Sequence, residues 1–391
     1  MLKVLSTLVF ISAAIFAPVC GSQAGQMGKD LLAPATNQGK KWRIGYVQGG
    51  PYQEYQLVMK ALVDGLMELG WIEKRSFPQP LDEQETQTFW SWLATEVRSD
   101  YLIFVPDAYW SAGWDEEARE RNKQLILDRL NHKKDIDLML AFGTKAGLDM
   151  ANNLHSVPTM ALSCSDPIRS GIIKSAGDSG YDHLHAKVDP KRYERQLRLF
   201  HEIVKFKKLG IAYEDTPTGR SYAAIEDARR VAAELGFEIL ECQTLDEDKN
   251  VRECEDSVVE CCRRLAPHVD AFYITLQNGV TPRNLSRMLE PLFKYKVITF
   301  SQRSTKDVKY GVTLSLAPEN YKELGRFYAR TMVRILNGAK PRELPQVFEN
   351  TQQIAINVEA AKRTRFQIPL DVLAGAQEIY EHIENVDDAN Y

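Results

Sequence analysis

Nine polar side chains stand where apolar runs of the sequence end: Gln48, Tyr52, Thr144, Ser165, Asp166, Gln277, Asn278, Gln302 and Arg303. They are hydrogen-bond donors and acceptors with one carboxylate and one guanidinium among them, a set suited to holding a small molecule rather than breaking one. Thr144 and Ser165 fall where helix starts offer backbone N–H groups and a positive dipole end, which favours an anionic ligand group. Each of the nine is also a residue type that caps helices or turns, so their joint occurrence at strand ends carries the argument, not any one of them.

The parts that turnover would need are missing from the sequence. Tyr46-Val47-Gln48-Gly49-Gly50-Pro51 lacks the GxGxxG spacing of a dinucleotide loop, and no GxxxxGK[ST], HExxH or GxSxG occurs. Gly177-Asp178-Ser179-Gly180 has the letters of a serine-protease nucleophile segment. That chemistry needs an oriented His and Asp on a β-barrel, so here the segment reads as a turn. His183 and His185 could share one face of a strand, as metal ligands do, but no third ligand lies near in sequence. Glu214-Asp215 reads as the acidic lead into a helix beginning near Thr218 rather than as an acid/base pair. No cofactor and no metal are expected.

The elements that must position the polar set alternate along the chain. Strand-like runs are Trp42–Gln48, Tyr101–Val105, Asp137–Phe142, Pro158–Leu162, Leu209–Tyr213, Phe237–Cys242, Ala271–Leu276 and Val297–Phe300. Helical stretches separate them; the first carries Leu57, Leu62, Leu66 and Leu69 and closes on Gly70. Such alternation means βαβ units and parallel sheets. Two sets appear, one before about Asp166 and one after about Asp189, joined by the polar SAGDSGYDHLHAKVD. Two Rossmann-like domains are therefore expected, with any ligand outside the carboxyl ends of the strands. Lys74–Arg98 reads as a helix-containing insertion whose Trp90 and Trp92 pack a local core.

With 391 residues, 44% hydrophobic and 26% charged, the chain has material for two globular cores. A net charge of −4 with scattered Lys and Arg gives no footprint for nucleic acid or anionic lipid. Lys3, the apolar run Val4–Phe16 and the small residues Ser22 and Ala24 form an export signal over residues 1–24. Lipid attachment at Cys20 is disfavoured by Val19 and Ala17 in the positions before it. Residues 25–41 are polar and carry Pro and Gly, which predicts a tether. Of the remaining cysteines, Cys254 and Cys261 lie seven apart on one helix, about 10 Å at 1.5 Å per residue, too far to bridge. Cys242 has either Cys261 or Cys262 open to it, and buried thiols account for the rest.

The segment GTKAGLDMANNLHSVPTMALSCSDPIRSGIIK resembles the extracytoplasmic substrate-binding proteins of ABC transporters, in the family containing tryptophan and tyrosine importer components. Its helix opening Thr144-Lys145-Ala146, its Pro leading into a strand, its Asp-Pro and its Gly-hydrophobic-Lys turn carry the likeness. LGIAYEDTPTG, DAFYITLQNGVTPRNLSRML, YGVTLSLAPENYKELGRFYARTMVRILNGAKPRELP and NTQQIAINVEAAKRTRFQIPLDVLAGAQEI follow in the same order. The resemblance implies an α/β, class I periplasmic-binding-protein fold, two Rossmann-like lobes with parallel sheets joined by three crossovers. The lobes would be 42–186 with 311–340, and 187–310 with 341–391. Thr144, Ser165 and Asp166 would form one wall of an interlobe cleft, and Tyr213, Gln277, Asn278, Gln302 and Arg303 the other. The implied role is capture of a small-molecule ligand by a periplasmic monomer and delivery to an ABC transporter permease, without nucleic acid and without covalent chemistry. A ligand sensor feeding a membrane kinase or cyclase, and an enzyme on the same scaffold, are the competing readings. Amino-acid-binding members usually carry Asp where Gln277 stands and acidic residues around Gln302 and Arg303. The departure here implies a small anionic or neutral ligand, with Tyr52, Trp110 and Trp114 suiting an aromatic one.

Overall fold

The computed structural model describes residues 31–78, 86–246, 250–316, 321–349 and 354–386. The signal segment 1–24, Cys20 and the start of the tether lie outside the described residues. Five strands form the first sheet: β1 (Trp42–Gln48), β2 (Leu102–Ser111), β3 (Leu138–Phe142), β4 (Thr159–Leu162) and β5 (Leu184–Ala186). Their order is β2-β1-β3-β4-β5, all parallel. Every residue of the central β3 is buried, as an apolar strand with helices on both faces must be.

The second sheet comprises β6 (Lys208–Glu214), β7 (Glu238–Thr244), β8 (Ala271–Ile274), β9 (Ile298–Ser301), β10 (Leu314–Leu316), β11 (Ile354–Asn357) and β12 (Glu378–Tyr380). The order β12-β11-β10-β9-β8-β6-β7 is parallel except for the β10–β11 pair, which is antiparallel. That exception corrects the expectation of parallel pairing throughout. β10 leaves its sheet for the first lobe, and the chain returns along β11 in the opposite sense.

Where the chain changes lobe also differs from the expected boundaries. Residues 314–316 pair in the second sheet, whereas the helix Tyr321–Leu336 packs in the first lobe. Its buried face, Leu324, Tyr328, Met332 and Val333, joins the core under the helix Gln53–Glu68. The two helices cross at glycines: a Cβ on Gly325 would lie 2.1 Å from the Ala61 carbonyl oxygen, and one on Gly65 would lie 2.7 Å from that of Gly325. Residues 341–348 stay with the first lobe as well. The Val188 N–H donates to the Gln346 carbonyl at 2.8 Å, the Phe348 N–H donates to Val188 at 3.0 Å, and Arg342 pairs with Asp178. The chain thus passes between lobes three times, after β5, after β10 and before β11.

The tether is pinned where it is described. The Trp71 indole donates to the Leu32 carbonyl and the Trp42 indole to that of Ala35, both at 2.9 Å. The Asn337 amide donates to Leu31 and Ala33. Backbone carbonyls that accept indole N–H groups were not visible as a docking signal in the polar composition of the segment. The insertion forms the helix Thr86–Glu96, whose Trp90 is 1% exposed and donates to the Val105 carbonyl. Cys242 is bonded to Cys261, tying β7 to the helix Val251–Leu265. Closing a loop of 19 residues stabilises the second lobe by about 3 kcal/mol in the chain-entropy picture. Cys254 and Cys262 are buried thiols.

Candidate functional site

A cavity of about 360 Å³ lies between the lobes at the carboxyl ends of the strands. Its volume is in the range that encloses a small organic molecule. From the first lobe come Tyr52, Glu54 and Tyr55 after β1, Trp114 after β2, Thr144 and Lys145 after β3, and Ser163, Cys164 and Ser165 after β4. Lys187 and Arg192 flank the first passage between lobes, and Tyr193 follows. The second lobe adds Glu214 and Tyr222 after β6, Gln277 and Asn278 after β8, and Gln302 and Arg303 after β9.

Gly143 makes the first wall possible. Its φ of +84° turns β3 directly into the helix Gly143–Met150, and a Cβ there would sit 1.8 Å from the Tyr55 hydroxyl oxygen. The same turn places Thr144 so that its hydroxyl accepts the Ser165 N–H at 3.3 Å, joining the two strand ends. Burial raises the pKa of Tyr52 and of Tyr55 well above the usual phenol range and that of Tyr193 to about 12. These phenols are therefore neutral, and that of Tyr193 donates to the Ser165 carbonyl at 3.2 Å. Burial likewise pushes the Cys164 thiol up to about 12, so it carries no thiolate at neutral pH.

The cations are held differently from one another. Lys145 Nζ lies 2.5 Å from Glu116 and 5.9 Å from the Trp114 ring centre. Arg303, with its side chain 10% exposed, has neither Nε nor Nη1 hydrogen-bonded. The nearby carboxylate of Asp307 stays 3.6 Å from Nε and accepts the Ser301 hydroxyl at 2.6 Å. Unmade hydrogen bonds on a buried guanidinium are costly, and Nε and Nη1 are both closed off from solvent. The two carboxylates of the cavity already accept protein donors: Glu54 from the Ser163 hydroxyl at 3.0 Å, Glu214 from the Asn278 N–H at 2.8 Å.

Of the residues singled out in the sequence, Tyr52, Thr144, Ser165, Gln277, Asn278, Gln302 and Arg303 are brought to this cavity. Both glutamines among them are engaged by protein. Gln277 donates to the Ala212 carbonyl and accepts from Thr244, while Gln302 accepts the Leu276 N–H and donates to the Tyr222 carbonyl. Three others lie elsewhere. Gln48 shares the face of Tyr46 two residues earlier and bonds Tyr46, Thr86 and Ser111, because the strand parity turns it toward the insertion helix. Tyr213 bonds Glu241 on the neighbouring strand. Asp166 accepts the N–H groups of Ile168 and Arg169 and so closes a turn. Trp110 is covered by the Arg129 guanidinium at 5.5 Å rather than facing the cavity.

Glu54, Tyr55, Lys145, Cys164, Lys187, Arg192, Tyr193 and Tyr222 were not legible as site residues. Most come from helix starts and from the passage between lobes, where side-chain direction has no sequence period; Cys164 follows β4, and Tyr222 lies in the last turn of the helix Pro217–Ala223. Glu214 was legible only as a helix lead, and Thr216 caps that helix instead, accepting the Gly219 N–H at 2.9 Å. Ser175 and Asp178 pair across Ala176 and Gly177, so the GDSG segment begins within a turn, and His185 is fully buried with Nε2 2.9 Å from the Pro345 carbonyl. Among the described residues no group of three or more His, Cys, Asp or Glu could hold a metal ion, and no helix is long and apolar enough to cross a membrane.

Two α/β lobes, three passages between them and a ligand-sized cavity at facing strand ends define a class I periplasmic-binding-protein fold. The chain belongs to the ABC transporter substrate binding protein family, whose pattern matches residues 112–380. Among solved structures it is similar to an ABC domain in complex with L-Trp from Streptococcus pneumonia, at 19% identity and TM-score 0.64, covering 87% of this chain and 100% of that one. A conserved domain protein from Vibrio cholerae gives the same four figures. A ligand-free, open substrate-binding protein with adhesive properties from Clostridium difficile has 17% identity and TM-score 0.61, over 87% and 99% of the two chains. No curated protein matches by sequence. At these identities the structures speak for the fold.

Proposed function

We propose that the chain is the solute-binding component of an ABC importer, exported by a cleaved signal over residues 1–24 and working as a monomer in the periplasm. It takes a small organic ligand, anionic in preference to neutral, between its lobes and passes it unchanged to a membrane permease. The observation that carries this reading is Arg303, a buried guanidinium lining an interlobe cavity with Nε and Nη1 unbonded. A carboxylate or similar planar anion matches its fork. Lys187 and Arg192 add positive charge nearby, while Glu54 and Glu214 already accept protein hydrogen bonds. The surrounding tyrosines and Trp114 suit an apolar or aromatic body.

Calorimetric titration with L-tryptophan and L-tyrosine tests the charge assignment. Neither zwitterion is expected to bind in the micromolar range. Micromolar binding that persists in Arg303→Ala contradicts the assignment, whereas closure and transport of an amino acid would still leave the binding-protein role intact.

A further inference from the structure

The turn Ser165–Arg169 does more than edge the cavity: it is where the first lobe touches the second. Asp166 organises it, its Oδ1 accepting the N–H groups of Ile168 at 3.1 Å and Arg169 at 2.9 Å, and its carbonyl accepting the Ser170 hydroxyl at 2.7 Å. The Arg169 side chain, 29% exposed, then reaches across to the helix Ile225–Leu235 of the second lobe. There its Nη2 donates to Asp227 Oδ1 at 3.0 Å. Asp227 has a side chain only 7% exposed. It also receives Arg230 from its own helix, and Arg230 in turn meets Glu194 at 2.6 Å. Beside this pair the Tyr193 hydroxyl of the second lobe donates to the Ser165 carbonyl at 3.2 Å.

We infer that Arg169 and Asp227 are positioning residues for ligand capture, a latch outside the cavity that holds the lobes together and thereby sets affinity. The pair is well placed for this. One partner is almost fully desolvated, so the contact is worth more than a surface ion pair, and it exists only while the lobes face each other. Ser165 belongs both to the turn and to the cavity wall, so occupation of the cavity and engagement of the latch favour the same arrangement. Asp166 thus acts through Arg169 rather than on a ligand. The inference rests on the two-lobed capture reading but not on the charge of the solute.

The test is small-angle scattering on the mature protein, stripped of bound molecules by unfolding and refolding, so that no probe ligand is needed. A compact chain of this length has a radius of gyration of roughly 21 Å, and Arg169→Ala is expected to raise it by about 1 Å without lowering Tm. Asp227→Asn should do the same, the double variant should add nothing further, and Arg169→Lys should restore the wild-type value. If Asp227→Asn fails to fold, Arg169→Ala decides alone. Identical radii for wild type and Arg169→Ala overturn the latch while leaving solute binding untouched, and a rise not restored by Arg169→Lys overturns it too.

Discussion

Arg303→Ala is expected to weaken binding of an anionic solute by about 10- to 150-fold, the loss of a charge-assisted hydrogen bond worth about 1.5–3 kcal/mol. The side chain is 10% exposed, and Nε and Nη1 are buried without a hydrogen bond, so water screens the guanidinium little. Arg303→Lys should recover only part of the affinity, because an ammonium keeps the charge but not the planar fork. Removing the guanidinium also leaves Asp307, 2% exposed, as a buried carboxylate without its neighbouring cation. The single variant should therefore lose stability, and Arg303→Ala with Asp307→Asn should regain it while remaining weak in binding. Calorimetry and thermal unfolding on the three variants separate the two effects. Affinity restored along with stability would mean that Arg303 serves the fold rather than the ligand.

Gly325→Ala is expected to cost about 3 kcal/mol or more, a fall in Tm of about 5–10 °C. The added Cβ would sit 2.1 Å from one backbone atom of Ala61 and 2.4 Å from another, with Ala61 Cβ at 2.8 Å. Backbone in the middle of a packed helix cannot yield as a flexible side chain can. The crossing holds the helix Tyr321–Leu336 to the first lobe, so the damage should appear there, with the second lobe's disulfide-tied elements unaffected. Gly177→Ala, whose Cβ would meet nothing within 4 Å, is the control and should leave Tm unchanged. Equal stability of Gly325→Ala and wild type would contradict the close crossing.

β1 to β4 and β6 to β9 were readable because they are apolar runs of four or more residues set off by turn residues and helical stretches. β5 and β10 to β12 were not, being three or four residues long; β5 falls within the polar stretch that joins the lobes, and β10 is followed by a helix that packs in the other lobe. Nothing local in LSL records that Leu314 belongs with Phe300 while Leu324 belongs with Val58. The site was readable where a loop follows a strand end, as at Thr144, Ser165 and Arg303. It was misread at Gln48, where a one-residue parity decides between cleft and interior, and at Asp166, where a carboxylate able to meet a ligand closes its own turn instead. Glu54, Tyr55, Lys187 and Arg192 reach the cavity only because two lobes face each other, a long-range fact that spacing does not encode.

The central claim, an anionic small molecule held between the lobes by Arg303, is tested most directly by mass spectrometry of what the purified protein releases on denaturation. The account predicts a small organic anion, stoichiometric with wild-type protein and depleted from Arg303→Ala purified in parallel. Tryptophan, tyrosine or another zwitterionic amino acid recovered equally from both proteins would contradict it.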